Sequence, residues 1–274
     1  MGIINLAGQT GARMFAALAG FGDFCRFCGR TFGWAISGAG RRRTSHLLVA
    51  QMYEVGTRSV PVVMITGAFV GMVLAAQSVL QFKAIGMEAK LGSIVNLSVV
   101  RELGPVLAGV MLAGRVGGAL AAELGTMRVT EQIDALRAMG ADPVRVLVMP
   151  RFLACLILMP FLVMYTDFMG ILGGYAVGVY VYEVSAADFW QAAAEAVQLF
   201  DIFSGVLKGL FFAAVMSLIC CYRGFRCKPG AAGVGKACTA SFVESTMAIL
   251  ALDFFIGIVL NTYYTLRWGV PSVF

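Results

Sequence analysis

Residues 230 to 237 read GAAGVGKA, the glycine spacing of a phosphate-binding loop, with Lys236 where a lysine would reach a phosphate. A working loop follows a buried strand, opens a helix, and places Ser or Thr after the lysine to hold magnesium. Here Ala237 takes the hydroxyl position, and the segment lies between two apolar runs with too little polar chain to build a nucleotide-binding sheet. It reads as a glycine-containing turn without a nucleotide role. The other residues able to do chemistry are charges set inside apolar runs: Arg101 and Glu102 side by side, Lys208, and Asp253. Seven cysteines, Cys25, Cys28, Cys155, Cys220, Cys221, Cys227 and Cys238, make an odd number and read as free thiols. Cys25 and Cys28 could open a metal site with Cys227 and Cys238, but that second pair lacks the close spacing of zinc ligands, so no metal is expected. His46 follows an arginine cluster and reads as a solvated flank. No Ser-His-Asp or zinc-protease pattern is present, so no catalytic residue and no cofactor are assigned.

The elements that must hold these charges are membrane helices. Of 274 residues, 59% are hydrophobic and 13% charged, against about 25% charged in a typical soluble domain. A lipid core offers no partner to an open backbone, so each crossing needs about 20 mostly apolar residues in a helix. Five runs qualify: residues 62–80, 91–120, 152–182, 202–221 and 242–264. The third is longer than one crossing requires and is expected to tilt or bend near Pro160. Residues 12–40 mix Phe15, Leu18, Phe21, Phe24, Phe27 and Trp34 with Arg13, Arg26 and Arg30, the pattern of an interfacial amphipathic helix. The expected fold is an all-α integral membrane protein forming a single domain over residues 1–274.

Basic residues set the expected orientation. Arg41, Arg42, Arg43 and Arg58 precede or open the first span; Arg128, Arg137 and Arg145 follow the second; Arg223, Arg226, Lys228 and Lys236 follow the fourth. These segments are expected to be cytoplasmic. Residues 183–201 hold four acidic and no basic residues, as suits an outer loop. The N-terminus is then inside and the C-terminus outside. This asymmetry accounts for the net charge of +6 without a nucleic-acid partner. The first residues lack the apolar core and cleavage site of a signal peptide.

Between the second and third spans, Ile133, Leu136 and Met139 recur at helical spacing, with Glu131 and Asp134 toward the N-terminal end, then Arg137 and Gly140. The spacing predicts a short amphipathic helix over 131–140. Its apolar stripe suits either a groove on another protein or the lipid surface.

Intramembrane charges normally face a cavity or a partner. Arg101 and Glu102 sit about 100° apart on a helix and cannot be satisfied simply by facing each other. Pro105 lacks the N–H that the Arg101 carbonyl would accept. The spot is expected to be polar and bent, lining either a substrate cavity or a structural ion pair, with Asn96 and Pro105 counted among the cavity residues. Lys208 and Asp253 lie about 10 and 16 Å inward from the outer ends of their helices at 1.5 Å per residue, so a lysine stem covers the difference. They are expected to pair. Small-residue ladders at Gly67 and Gly71, at Gly114, Gly118 and Ala122, and at Gly170, Gly174 and Gly178 predict close helix packing.

The stretch DALRAMGADPVRVLVMP, residues 134–150, resembles the coupling loop of ABC transporter permeases. More specifically, VVRELGPVLAGVMLAGRVGGALAAELGTMRVTEQIDAL, residues 99–136, is similar to the MlaE-type permeases of phospholipid transporters, and the similarity runs from GAFVGMVLAAQ in the first span to ALDF in the fifth. The resemblance implies a homodimeric permease of the bacterial inner membrane that moves phospholipid between that membrane and periplasmic carriers, supporting outer-membrane lipid asymmetry. The implied partners are a separate ABC ATPase that binds ATP, a STAS-domain protein and periplasmic MCE-domain proteins. It further implies that the 131–140 helix couples to the ATPase, and that the RELGP segment lies by a lipid-binding cavity. A membrane scaffold or regulator that only docks partners is the alternative.

Overall fold

The computed structural model describes residues 2–38 and 42–268; Arg41 and residues 39 and 40 of the expected 12–40 helix lie outside them. The protein is 91% helical with no strands among the described residues. Among the described residues five helices are long and apolar enough to cross a membrane: Leu47–Ala84, Leu91–Val129, Val144–Val181, Leu199–Phe225 and Ala231–Arg267. Each runs past its apolar stretch at one or both ends. Lipid requires apolar side chains only within its core, while helices continue into the interface where polar residues are solvated. The apolar windows thus mark the middles of longer helices.

The N-terminal helix spans Gly2–Gly38, beginning ten residues before the expected start. One face packs on the bundle through Phe27 and Trp34, while Phe15, Leu18 and Phe21 remain exposed. Rings fix the contact: Phe27 meets Tyr222 and Phe225 at centroid distances of 5.6 and 5.7 Å, and Phe32 meets Phe152 at 5.2 Å.

Spans one and three pack most intimately, and small residues explain why. A Cβ added at Gly71 would lie 1.8 Å from the Gly170 carbonyl oxygen, so only glycine permits that backbone approach. The ladder at Gly114 and Gly118 behaves differently, since a Cβ at Gly118 would meet nothing within 4 Å. That face is open. Pro160 lies inside a continuous helix, Met149–Tyr175.

The spans are not uniform α-helix. π-helical turns occur at Tyr53–Thr57, Val99–Leu103, Ala113–Gly117, Val144–Val148 and Ala176–Val181. The second of these precedes Pro105, whose ring would clash with the carbonyl one α-turn earlier. Widening that turn accommodates it.

One end of the bundle gathers the N-terminal helix and the loops bearing Arg128, Arg137, Arg145 and Lys228; it is the basic end. The opposite end carries a short helix, Ala186–Ala196, capped by the Ser185 hydroxyl and packed on residues Leu91–Ser98. The fourth span packs against the second, third and fifth. The fifth is the least buried of the five.

Candidate functional site

The charges that stood out in the apolar runs converge. Arg101 and Glu102 lie in the π-helical turn of the second span and reach different residues of the fourth. Arg101 Nε sits 3.3 Å from Asp201 Oδ1, and its guanidinium lies 5.6 Å from the centre of the Tyr264 ring. Lys208 Nζ donates to Glu102 Oε2 at 2.6 Å and to the Arg101 carbonyl at 3.1 Å. That carbonyl is the one Pro105 cannot serve, so a lysine from another helix supplies the missing donor. The ammonium also lies 2.9 Å from Asp253 Oδ1. The contact with Asp253 is Coulombic, because Oδ1 receives no well-directed hydrogen bond.

Lys208 is 1% exposed, whereas Glu102 is half-exposed. An unpaired ammonium at that depth would lose several kcal/mol of hydration on the order of magnitude of a buried ion, and three protein oxygens replace it. Glu102 shares its charge with a cavity instead. This cavity, of about 410 Å³, is lined by Arg101, Glu102, Lys208 and Asp253 at its polar side and by Phe254 and Ile258 at its apolar side. Phe254 and Ile258 continue into the exposed face of the fifth span. The arrangement offers a cation and a carboxylate to a polar group, with an apolar surface leading away from them.

Two residues expected at this cavity are elsewhere. Asn96 is 1% exposed, and neither of its amide atoms has a hydrogen-bond partner. The π-helical turn that begins between Asn96 and Arg101 changes the rotation of the span, and Asn96 faces the packed interior. Pro105 is buried against the fourth span, with its Cγ 3.2 Å from where a Gly205 Cβ would be. Asp167 of the third span was missed. Its Oδ1 is buried without a hydrogen bond, so close to Gly104 that a Cβ there would lie 1.7 Å from it. In the sequence it is a lone acid in an apolar run, the same signal that Asp253 gives.

The loop between the second and third spans forms a helix at Gln132–Ala138, shorter than 131–140. Glu131 precedes it in the left-handed region at φ 61°, and Gly140 follows at φ 74°, a conformation glycine adopts without strain. The expected stripe is split. Ile133 is fully buried in this protein's own core and Leu136 partly so, while Met139 is 74% exposed. Asp134 accepts from Arg128 at 2.6 Å and from Arg137 at 2.8 Å, bracing the helix from both sides.

The glycine-lysine segment is helical from Ala231 onward, with Gly230 at φ 88° as the turn before it. A phosphate cradle needs a run of free amides ahead of the helix, and here the segment itself forms its first turns. The seven cysteines are free thiols. Among the described residues no cluster of three or more His, Cys, Asp or Glu could hold a metal.

Comparison with known proteins agrees with this architecture. The family model described as Permease MlaE matches residues 48–259. An ABC transporter permease protein of Rickettsia conorii is 40% identical over 254 residues, covering 93% of this chain and 97% of the relative. The intermembrane phospholipid transport system permease protein MlaE of Haemophilus influenzae is 38% identical over 237 residues, 85% of this chain and 91% of the relative. The chloroplastic protein trigalactosyldiacylglycerol 1 of Arabidopsis thaliana is 37% identical over 204 residues, 74% of this chain and 58% of the relative. A match reaching into all five membrane helices, with the intramembrane charges and the short loop helix inside it, shows that the chain belongs to the MlaE permease family.

Proposed function

We propose that the chain is the permease subunit of an ABC transporter that moves phospholipid, with the cavity at Arg101 and Glu102 receiving the head group. The observation that carries this is the half-exposed Glu102 beside Arg101, buried to mid-helix depth yet opening onto the apolar face of Phe254 and Ile258. A zwitterionic head group with two acyl chains matches that division of polarity. Arg101 attracts the phosphate, and Glu102, oriented by Lys208, meets a cationic or hydroxyl portion. The Haemophilus relative's name, a phospholipid transport permease, supports the same substrate class.

In this reading the basic end is cytoplasmic, the N-terminus inside and the C-terminus outside, in a bacterial inner membrane. ATP is bound by a separate ATPase subunit that docks at residues 131–140, where Met139 is the exposed apolar anchor. Two copies pair along the little-buried fifth span, so the cavity lies at the seam between them. MCE-domain proteins on the outer side receive or deliver the lipid in support of outer-membrane asymmetry, and a STAS-domain protein accompanies the ATPase.

The test is to purify the chain with its copurifying cytoplasmic partner, identify bound lipid by mass spectrometry, and measure lipid transfer. Arg101→Ala and Glu102→Ala are expected to lose most bound phospholipid and most transfer. Unchanged retention and transfer in both variants would exclude the cavity as the lipid path. A lipid-free chain without an ATPase would favour the scaffold.

A further inference from the structure

A second cavity, of about 320 Å³, lies at the basic end between the N-terminal helix, the loop after the short helix, and the end of the fourth span. Arg26, Arg30, Arg137 and Arg226 line it against Asp23 and Asp142, an excess of two positive charges. Its carboxylates are already engaged. Asp142 Oδ2 accepts from Arg30 and from the Trp34 indole, both at 2.9 Å, and Oδ1 accepts from the Val144 amide at 3.0 Å. Asp23 accepts from Arg226 at 2.6 Å. Arg137 is held 2.8 Å from Asp134, outside the cavity. Arg26 has no ion-pair or hydrogen-bond partner among the described residues. Phe27, Tyr222 and Phe225 supply an aromatic wall.

We propose that this cavity is a second anion site, binding a phosphate ester through Arg26 of the N-terminal helix and Arg226, which caps the end of the fourth span. Planar guanidinium groups suit phosphate oxygens, and neither carboxylate of the cavity, engaged with Arg30 and Arg226, pairs with Arg26. The aromatic wall matches the glycerol and upper acyl carbons of an anionic phospholipid from the leaflet at this end, where basic residues near a membrane surface gather such lipids. A soluble phosphate ester shares the same head-group chemistry. Asp142 ties the N-terminal helix to the loop leading out of the Gln132–Ala138 helix at the edge of this site. The proposal does not rest on the transport reading, since none of its residues lines the central cavity.

The test is calorimetric titration of the full chain in neutral detergent with dihexanoyl phosphatidylglycerol in one arm and glycerol phosphate in the other. One saturable Arg26-dependent event is expected, weakened about tenfold by Arg26→Gln as expected for loss of one charge-assisted contact, and weakened less by Arg26→Lys. Arg58→Gln, outside the cavity, is expected to bind as the parent does. Binding by the lipid alone assigns the site to a membrane head group; equal binding by glycerol phosphate assigns it to a soluble ester. Failure of both probes, or an Arg26→Gln titration matching the parent, overturns the site. Binding that survives Arg26→Gln but is lost in Arg101→Ala belongs to the central cavity and reports on the transport reading separately. Arg26 has no partner to lose, and a parallel thermal melt verifies that the variant is folded.

Discussion

The central cluster and the basic-end cluster are both built from arginine, carboxylate and aromatic rings, yet they balance charge differently. In the centre, Arg101 and Lys208 face Glu102, Asp201 and Asp253, so every cation has a carboxylate within 3.3 Å. At the basic end, four arginines face two aspartates. Depth explains the contrast. A charge inside the membrane must be matched by protein or by a polar cavity, whereas one at the surface is hydrated and can stay in excess. Removing a charge should therefore matter most where hydration cannot substitute for it.

Lys208→Met is the most severe way to break that comparison. It strips the ammonium from two carboxylates and leaves the Arg101 carbonyl without a donor. The expected loss is about 3 kcal/mol, the low end for breaking a buried pair, because Glu102 keeps access to the cavity. Thermal unfolding in detergent measures it. Adding Asp253→Asn to the same chain should restore part of the loss; a double variant no more stable than Lys208→Met would show that the Lys208–Asp253 contact is energetically silent.

Asp201→Asn is the next step down. Asp201 Oδ1 meets Arg101, and Oδ2 accepts from the Gln198 amide at 3.0 Å, closing a capping box at the start of the fourth span. Asparagine keeps an acceptor but loses the charge, so about 1 kcal/mol is expected. The sharper readout is lipid retention. If Asp201 aims Arg101 into the cavity, retention falls further than the stability change alone would produce.

Arg101, Glu102, Lys208 and Asp253 were conspicuous in the sequence because each interrupts an apolar run, whereas Asp201 lies at the end of the expected outer loop. Their partners were less so. The depth argument brought Lys208 toward Asp253, but nothing in the spacing showed that Glu102 would be nearer to the ammonium, at 2.6 Å. That depends on how the second span is rotated, and the π-helical turn at Val99–Leu103 sets the rotation. An apolar pattern looks the same through an α-turn or a π-turn, so the register of Asn96 against Arg101 could not be read. The glycine ladders show a related limit. Gly71 and Gly118 carry the same small-residue signal, and only the neighbouring backbone distinguishes a close seam from an open face. Ile133 was legible as apolar at helical spacing, but whether its stripe faced inward or outward depended on tertiary contacts.

At the basic end, Asp142 gives the comparison a pH test. Burial alone would raise its carboxyl, but hydrogen bonds from Trp34, the Val144 amide and Arg30 outweigh that and hold it below the ordinary value of 3.8. A depressed carboxylate contributes stability above its unfolded value and loses it as pH falls through the lower folded one. Docking of the N-terminal helix, followed by Trp34 fluorescence in a variant with Trp190 and Trp268 replaced by Phe, should be constant from neutral pH to about 4 and weaken below that. Asp142→Asn should loosen docking at neutral pH by about 1 kcal/mol, as both partners are partly solvated. An acid response identical in the Asn variant would place the titrating group elsewhere.

The smallest effect is expected at Asp134. It holds two arginines at 2.6 and 2.8 Å, more close ion pairs than Asp201 makes, but all three side chains are at least a third exposed. Water and salt screen such pairs, so Asp134→Ala should cost less than about 1 kcal/mol despite its short contacts. A loss as large as that of Lys208→Met would mean that distance rather than depth governs these clusters. If the depth argument holds, the stability change stays small while the orientation of Gln132–Ala138 is released; on the proposed function, in which this helix docks an ATPase, ATP hydrolysis then becomes less responsive to lipid. The residue would then act on coupling with little effect on folding, the reverse of Lys208.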